Sequence, residues 1–310
     1  MENISRFDKI RIKFRRTPVI KSISRFSSYK GLIKNWWEYY LVKVGLRAKA
    51  DIIFRKDNKL FTLSRQNQGE FYKEFAYRRL EYYGAKIKKD KNSFLISFKG
   101  FLFKVRELDI ASIIVENFIE EPYKWLKSRG ETVVDVGANI GDTAIYFGGL
   151  ENASKVIAVE PVTYAYNSAK ENIRLNKLDK KIILLNGAVD KKKGHIYIAN
   201  REKSTGILNK KRQGKRVRVF TLDELIKKYK INDALLKLDC EGYEYPIILS
   251  AKTATLRKFK RIVLECHWGY LNIEKRLKSA GFKVKHTSPA YNEYADIPDM
   301  VINLVFAKRI

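Results

Sequence analysis

The chain has 310 residues, with 63 Lys and Arg against 34 Asp and Glu and a formal charge of +29. That balance excludes an acidic tail protein and directs attention to negatively charged partners. A hydrophobic share of 45%, with 17 Phe, 18 Tyr and 4 Trp, suffices for a large core and excludes a disordered chain.

Residues 1–48 form a basic, aromatic extension in which Lys and Arg far outnumber Glu2, Asp8 and Glu38, with Trp36, Trp37, Tyr39 and Tyr40 among them. Its apolar spacing predicts a helix from about Lys30 to Leu46. Residues 49–130 read as a small α+β region. One hairpin runs from Ile52–Phe54 through Asp57-Asn58 into Leu60–Leu63, and a second from Phe94–Phe98 through Lys99-Gly100 into Phe101–Val105. Helices are expected over Gly69 to Tyr83 and Ile110 to Ser128. From residue 131 to the end, short apolar runs alternate with amphipathic helices. The strands are Thr132–Val136, Lys155–Val159, Lys181–Leu185, Ala234–Leu238, Arg261–Glu265, Phe282–Lys285 and Met300–Phe306. The helices are Asp142–Gly148, Thr163–Asn176, Leu222–Tyr229, Tyr243–Ser250 and Leu271–Ala280. Such alternation predicts an α/β fold with a mostly parallel sheet, whose ligands sit beyond the carboxyl ends of the strands.

The first of these strands runs into Asp135-Val136-Gly137-Ala138-Asn139-Ile140-Gly141-Asp142. Gly137 and Gly141 allow a tight turn, while Asp135 and Asp142 would repel a pyrophosphate and suit the ammonium and sulfonium of S-adenosylmethionine. Glu160, 23 positions after Gly137 and followed by Pro161, is placed to accept ribose hydroxyls. Beyond the third strand, Ala188 has a backbone amide that can face an adenine, with Asn186 or Asp190 near its amino group; a plain polar turn fits equally. The fourth strand leads to Asp239 and Glu241, which an extended chain would place on one face. The fifth leads to Glu265 and His267, again two apart, with His267 a candidate general base. Residues 191–220 read as a basic β-ribbon over the site, and Thr287 to Pro298 as a substrate rim.

Cys240 and Cys266 have no CxxC spacing, so neither a disulfide framework nor a zinc site is expected, and buried thiols in a reducing interior are the reading. No run of eighteen apolar residues is present, and the charged start does not read as a signal peptide. The scarcity of Gln, Cys and Met beside abundant Lys suggests a hot habitat, although an AT-rich genome also favours Lys.

The stretches VVDVGANIGDTAIY (133–146), VEP (159–161), TLDEL (221–225), LKLDCEGYEYPIIL (236–249) and LECH (264–267) resemble the FkbM family of S-adenosylmethionine-dependent methyltransferases. The resemblance covers roughly residues 131–270. It implies the Rossmann-like class I methyltransferase sheet with a last antiparallel strand, and O-methylation of hydroxyls on sugars and related metabolites. It assigns the methionine part of the cofactor to Asp135, Gly137, Asn139 and Gly141, the ribose to Glu160, and puts Asp239 close to the methyl donor.

The expected activity is methyl transfer to a hydroxyl of a saccharide or glycolipid, with His267 oriented by Glu265, or else Asp239 or Glu241, taking the proton. Asp239, Glu241 and Glu265 carry oxygens suited to Mg²⁺, but paired acids on a positive protein need no metal, and none is expected. For the basic extension a solvated Lys-rich surface ranks first, contact with anionic membrane through residues 1–48 second, and nucleic acid third. A cytoplasmic protein, peripheral at most, is the resulting expectation.

Overall fold

A computed structural model describes residues 3–5, 8–9, 26–108, 110, 112–198, 214–291 and 300–310. The chain divides into two compact units, one made of residues 10–120 and the other of residues 1–9 with 121–310.

In the smaller unit, helices α1 (Phe26–Leu32) and α2 (Trp36–Val44) precede the hairpin β1 (Lys49–Ile53) and β2 (Leu60–Ser64), then helix α3 (Gln68–Tyr82). An antiparallel sheet follows, of β3 (Lys86–Asp90), β4 (Ser93–Phe98) and β5 (Phe101–Val105). The helix expected from Lys30 to Leu46 is broken. Lys34 donates its amide to Ile53, and the Asn35 side chain both donates to the Asp51 carbonyl at 2.7 Å and accepts from the Ile53 amide at 2.9 Å. The break lets the chain pair with the edge of β1. Tyr29, Ile33, Tyr39, Val42, Ile52, Phe54 and Phe71 then share one core, so the expected boundary after residue 48 runs through packed side chains.

That core also corrects the membrane reading. Tyr39 and Tyr40 are buried and Trp36 packs against the same cluster, leaving Trp37 as the exposed ring of the four. Rings committed to a core are not available to an interface. Among the described residues, no helix is long and apolar enough to cross a membrane. The long helix expected over Ile110 to Ser128 is instead a short α4 (Ser112–Val115), a π-turn over Glu116–Glu120 and, in the larger unit, a 3₁₀ turn over Lys124–Leu126.

The larger unit is built on β6 (Thr132–Val136), β7 (Lys155–Glu160), β8 (Ile182–Val189), β9 (Gly194–Ile198), β10 (Lys215–Phe220), β11 (Ala234–Leu238), β12 (Phe259–Cys266), β13 (Phe282–His286), β14 (Ala290–Tyr291) and β15 (Val301–Arg309). Their order is β13-β15-β12-β11-β6-β7-β8-β10-β9, with β14 also paired to β15. Strands β8, β7, β6, β11 and β12 run parallel, and β15 inserts antiparallel between β12 and β13. This is the sheet that the resemblance implies. Connecting helices are α5 (Asp142–Ile145, continuing as a π-turn over Tyr146–Leu150), α6 (Thr163–Leu175), α7 (Leu222–Tyr229), α8 (Glu244–Ser250), α9 (Thr253–Leu256) and α10 (Leu271–Ser279). Every residue of β11 is buried, as expected of a central parallel strand covered on both faces.

The start of the chain belongs to this unit. The Asn3 carbonyl accepts from the amides of Tyr270 and Leu271, its side chain accepts from the Asn272 amide at 2.7 Å, and Asp8 accepts from the Tyr270 hydroxyl at 2.8 Å. A Cβ on Gly269 would overlap Asn3, so that glycine permits the close approach.

β9 and β10 form the antiparallel pair expected within 191–220, at the far edge of the sheet; the intervening basic residues 199–213 lie outside the described residues. Most of the expected rim over Thr287 to Pro298 does as well. Both cysteines are free thiols, Cys266 buried and Cys240 half-buried.

Candidate active site

β6 ends at the centre of the sheet, and the chain turns at once through Gly137 (φ +81°), Asn139 (φ +47°) and Gly141 (φ +86°). A side chain at Gly137 would overlap the carbonyl of Asp239, and one at Gly141 would crowd the backbone of Ala169 in α6. The turn is therefore clamped between β11 and α6, and only glycine fits its two ends. Amides of Gly137 and Ala138 donate to the Val159 carbonyl, and Asn172 donates its side-chain amide to the Ile140 carbonyl at 3.0 Å.

Glu160 closes the loop from the side of β7. One carboxylate oxygen accepts from the Asn139 amide at 2.9 Å and the other from the Val162 amide at 2.7 Å. Burial pushes its carboxyl up to about 7, with the Val162 and Asn139 amides partly offsetting the rise. A carboxylate offers about four acceptor positions, so these two bonds leave capacity for hydroxyls. Asn186 donates to the carbonyls of Glu160 and Pro161, at 3.0 and 3.4 Å, and so fixes the turn carrying Pro161. Ala188 lies inside β8, in register with Val219 of β10, because β8 continues four residues past the expected end. Asp190 donates its amide to the Phe220 carbonyl.

Asp135, expected at the methionine part of the cofactor, is turned inward. Its side chain is fully buried, accepting from the Thr143 hydroxyl at 2.6 Å and pairing with Lys237 Nζ at 3.1 Å. Asp142 is buried at the start of α5. Lys237, in the middle of β11, was not anticipated. Its ammonium also donates to the Gly137 carbonyl at 2.7 Å and stands 3.8 Å from Asp239, anchoring the glycine turn from below. Burial alone would lower its pKa, but Asp135, then Asp239 and Asp142, hold it well above the usual lysine value. A lysine among five otherwise apolar strand residues was the available signal.

The second half of the site lies beyond β11 and β12. Asp239 accepts from the Tyr123 hydroxyl at 3.1 Å. Glu241 does not share a face with Asp239 through strand alternation: β11 ends at Leu238, and Glu241 is left-handed (φ +54°) in the turn that follows. That turn nevertheless brings Glu241 Oε2 within 3.4 Å of His267 Nε2, with Glu265 Oε1 at 3.9 Å. Glu244, also unanticipated, is fully buried in the first turn of α8; it accepts from the Cys240 amide at 2.7 Å and meets His267 Nδ1 at 3.3 Å. Burial would lower the His267 pKa, but the carboxylates of Glu244, Asp239 and Glu265 outweigh it and bring it up to about 10. His267 is thus an imidazolium at neutral pH, which cannot serve there as a general base. Burial raises the Glu241 carboxyl, opposed by the charge on His267.

The glycine turn after the first strand, the acid after the second and the acid cluster beyond the fourth and fifth define a Rossmann-like methyltransferase. Residues 135–284 match the model of the methyltransferase FkbM domain, and this part of the chain is an S-adenosylmethionine-dependent methyltransferase domain. The donor set fits the cofactor, since Glu160 keeps acceptor capacity for hydroxyls and the excess of carboxylates around Asp239 suits a cationic group.

Among solved structures, the chain is similar to TYW2 of M. jannaschii in complex with S-adenosylmethionine, at 19% identity over 72% of this chain and 89% of that one, with a TM-score of 0.40. It is also similar to the N-terminal domain of human METTL16 in complex with S-adenosylhomocysteine, at 13% identity over 99% of each chain and a TM-score of 0.43. An uncharacterised Listeria monocytogenes protein is 14% identical over 59% of this chain, with a TM-score of 0.38; the match spans 64% of that protein. No curated protein matches the sequence.

Proposed function

We propose that the protein O-methylates a neutral, polyhydroxylated acceptor, a saccharide or a glycolipid. The observation that carries this reading is the convergence of Asp239, Glu241, Glu265 and His267 beside the glycine turn. In a chain of charge +29, this acid-rich pocket repels a phosphate-bearing acceptor at the point of transfer and accepts hydroxyl donors.

In this reading, the turn with Gly137, Asn139 and Gly141 holds the methionyl end of the cofactor, Glu160 the ribose, and Pro161 and Ala188 border the adenine. Asp135 and Asp142 act from beneath, Asp135 through Lys237. Bound S-adenosylmethionine supplies an electrophilic methyl on a sulfonium. The chain's own contribution is chiefly to fix acceptor and donor in line, which can remove about 7–11 kcal/mol of barrier. The acceptor proton goes to Glu241, because its carboxyl is raised and it is open to solvent, whereas Asp239 is occupied by Tyr123 and faces Lys237. Asp239 and Glu265 hold the acceptor hydroxyl.

The test is formation of S-adenosylhomocysteine from S-adenosylmethionine with a panel of neutral glycans and with unmodified tRNA. Turnover with a glycan that falls about 10²–10⁴-fold in Glu241→Gln, with cofactor affinity retained, is the expected result. Turnover with tRNA alone would overturn the acceptor class.

A further inference from the structure

We propose that Asp239, Glu265 and His267 form a binding site for a divalent cation of the Mg²⁺/Mn²⁺ type.

One carboxylate oxygen from each acid and one imidazole nitrogen lie within 4.8 Å of one another. Ligands of a common ion stand about 2.0–2.4 Å from it, so this spacing accommodates one ion at their centre with little movement. Two carboxylates and an imidazole that gives up its Nε2 proton when the ion binds, with open positions, suit a hard or borderline cation rather than a thiophilic one.

The second observation is His267 itself. Its side chain is 3% exposed, its Nδ1 faces Glu244 without an aligned hydrogen bond, and Nε2 is directed at the acids at the mouth of the site. Behind it, Nδ1 meets the fully buried carboxylate of Glu244 at 3.3 Å, and Glu244 is in turn fixed by the Cys240 amide. A carboxylate behind an imidazole, aiming the opposite nitrogen into a polar cleft, is the support that metal-binding histidines receive. Lys237 Nζ stands 3.8 Å from Asp239 Oδ2, but its closer contacts are with Asp135 at 3.1 Å and the Gly137 carbonyl at 2.7 Å, on the side of the glycine turn.

The experiment is a Mn²⁺ titration of the chelator-treated full chain, followed by the electron paramagnetic resonance signal of free Mn²⁺, beside calorimetry with S-adenosylhomocysteine. One Mn²⁺ per chain is expected, bound at least tenfold more weakly in Glu265→Gln and His267→Gln, and about 10–100-fold more weakly in Glu244→Gln, which leaves all three ligands in place. S-adenosylhomocysteine binding should persist in Glu265→Gln, showing that the variant is folded. Binding of S-adenosylhomocysteine but not Mn²⁺ by the wild type would overturn the cation site and leave the methyltransferase reading standing. Equal Mn²⁺ affinity in wild type and Glu265→Gln would also overturn it, by placing the ion elsewhere. Mn²⁺ bound as expected by a folded chain that ignores S-adenosylhomocysteine would uphold the site and sink the cofactor reading instead.

Discussion

Lys237→Met offers the sharpest test of how the glycine turn is held. Methionine keeps most of the volume and removes the charge. It leaves Asp135, which is fully buried, with Thr143 as its remaining partner, and it strips a donor from the Gly137 carbonyl. Breaking a buried pair by deleting one member costs about 3–5 kcal/mol, because the surviving charge stays desolvated. At about 1.36 kcal/mol per decade, that is roughly two to four decades in the exchange rate of the most protected amides of β6 and β11, including the Asp239 amide that donates to Val136. Hydrogen–deuterium exchange reads this loss within the larger unit, without assuming that the whole chain unfolds in one step. The double variant Lys237→Met/Asp135→Asn removes both charges and should regain most of the protection. Exchange within tenfold of wild type in the single variant, or no recovery in the double, would refute the account of Lys237 as the anchor.

Gly137→Ala and Gly130→Ala both place a side chain at positive φ, but Gly130 has open space around it while the Gly137 Cβ would overlap Asp239. Gly130→Ala should cost about 1–2 kcal/mol, and Gly137→Ala considerably more, with cofactor binding abolished; equal thermal shifts would contradict the clamp. With its carboxyl raised to about 7, Glu160 is the better acceptor of ribose hydroxyls once ionised. Calorimetry should therefore show S-adenosylhomocysteine binding tighten between pH 6 and pH 8, and this rise should vanish in Glu160→Gln. The same raised value makes Glu160 a source of instability that grows from about pH 4.5 to 7 and is constant above, since its folded pKa exceeds the unfolded one. His267, raised to about 10, behaves oppositely: its ion pairs stabilise fully below about pH 6.5 and are lost as the pH climbs through 10. In metal-free protein its ring resonances should report an imidazolium at pH 8, and a midpoint below 7 would show that Glu244 and its neighbours do not hold the proton.

The central strands were legible because each is an apolar run closed by an acid or a glycine: Val133–Asp135, Ile157–Glu160 and Leu235–Asp239 end where the structure places the site. Other features depended on partners remote in sequence. β3 is Lys-Ile-Lys-Lys-Asp, which has almost no apolar alternation to read; it exists as an exposed edge strand because β4 supplies its hydrogen bonds. β8 runs on to Val189 because β10 provides a neighbour for its last residues. Asp239 and Glu241 were placed together for the wrong reason, strand alternation, and converge through a left-handed turn instead. His267 lies beside Glu265 and Glu241 beyond β12, but the free imidazole expected of it is not what the fold produces, because the packed carboxylates of Glu244 and its neighbours hold its proton. Lys237 sat inside an apolar run and passed as part of it.

The contacts of Asn3 and Asp8 with residues 270–272 have a consequence in time. They join positions separated by 262 and 269 residues, so during synthesis Asn3 and Asp8 wait for more than 260 residues before their partners emerge. The smaller unit, contiguous from residue 10 to 120, is available to fold long before then. A ribosome therefore produces a finished insert inside an unfinished host, and the loop beside His267 is fastened to Asn3 and Asp8 only after the insert is complete.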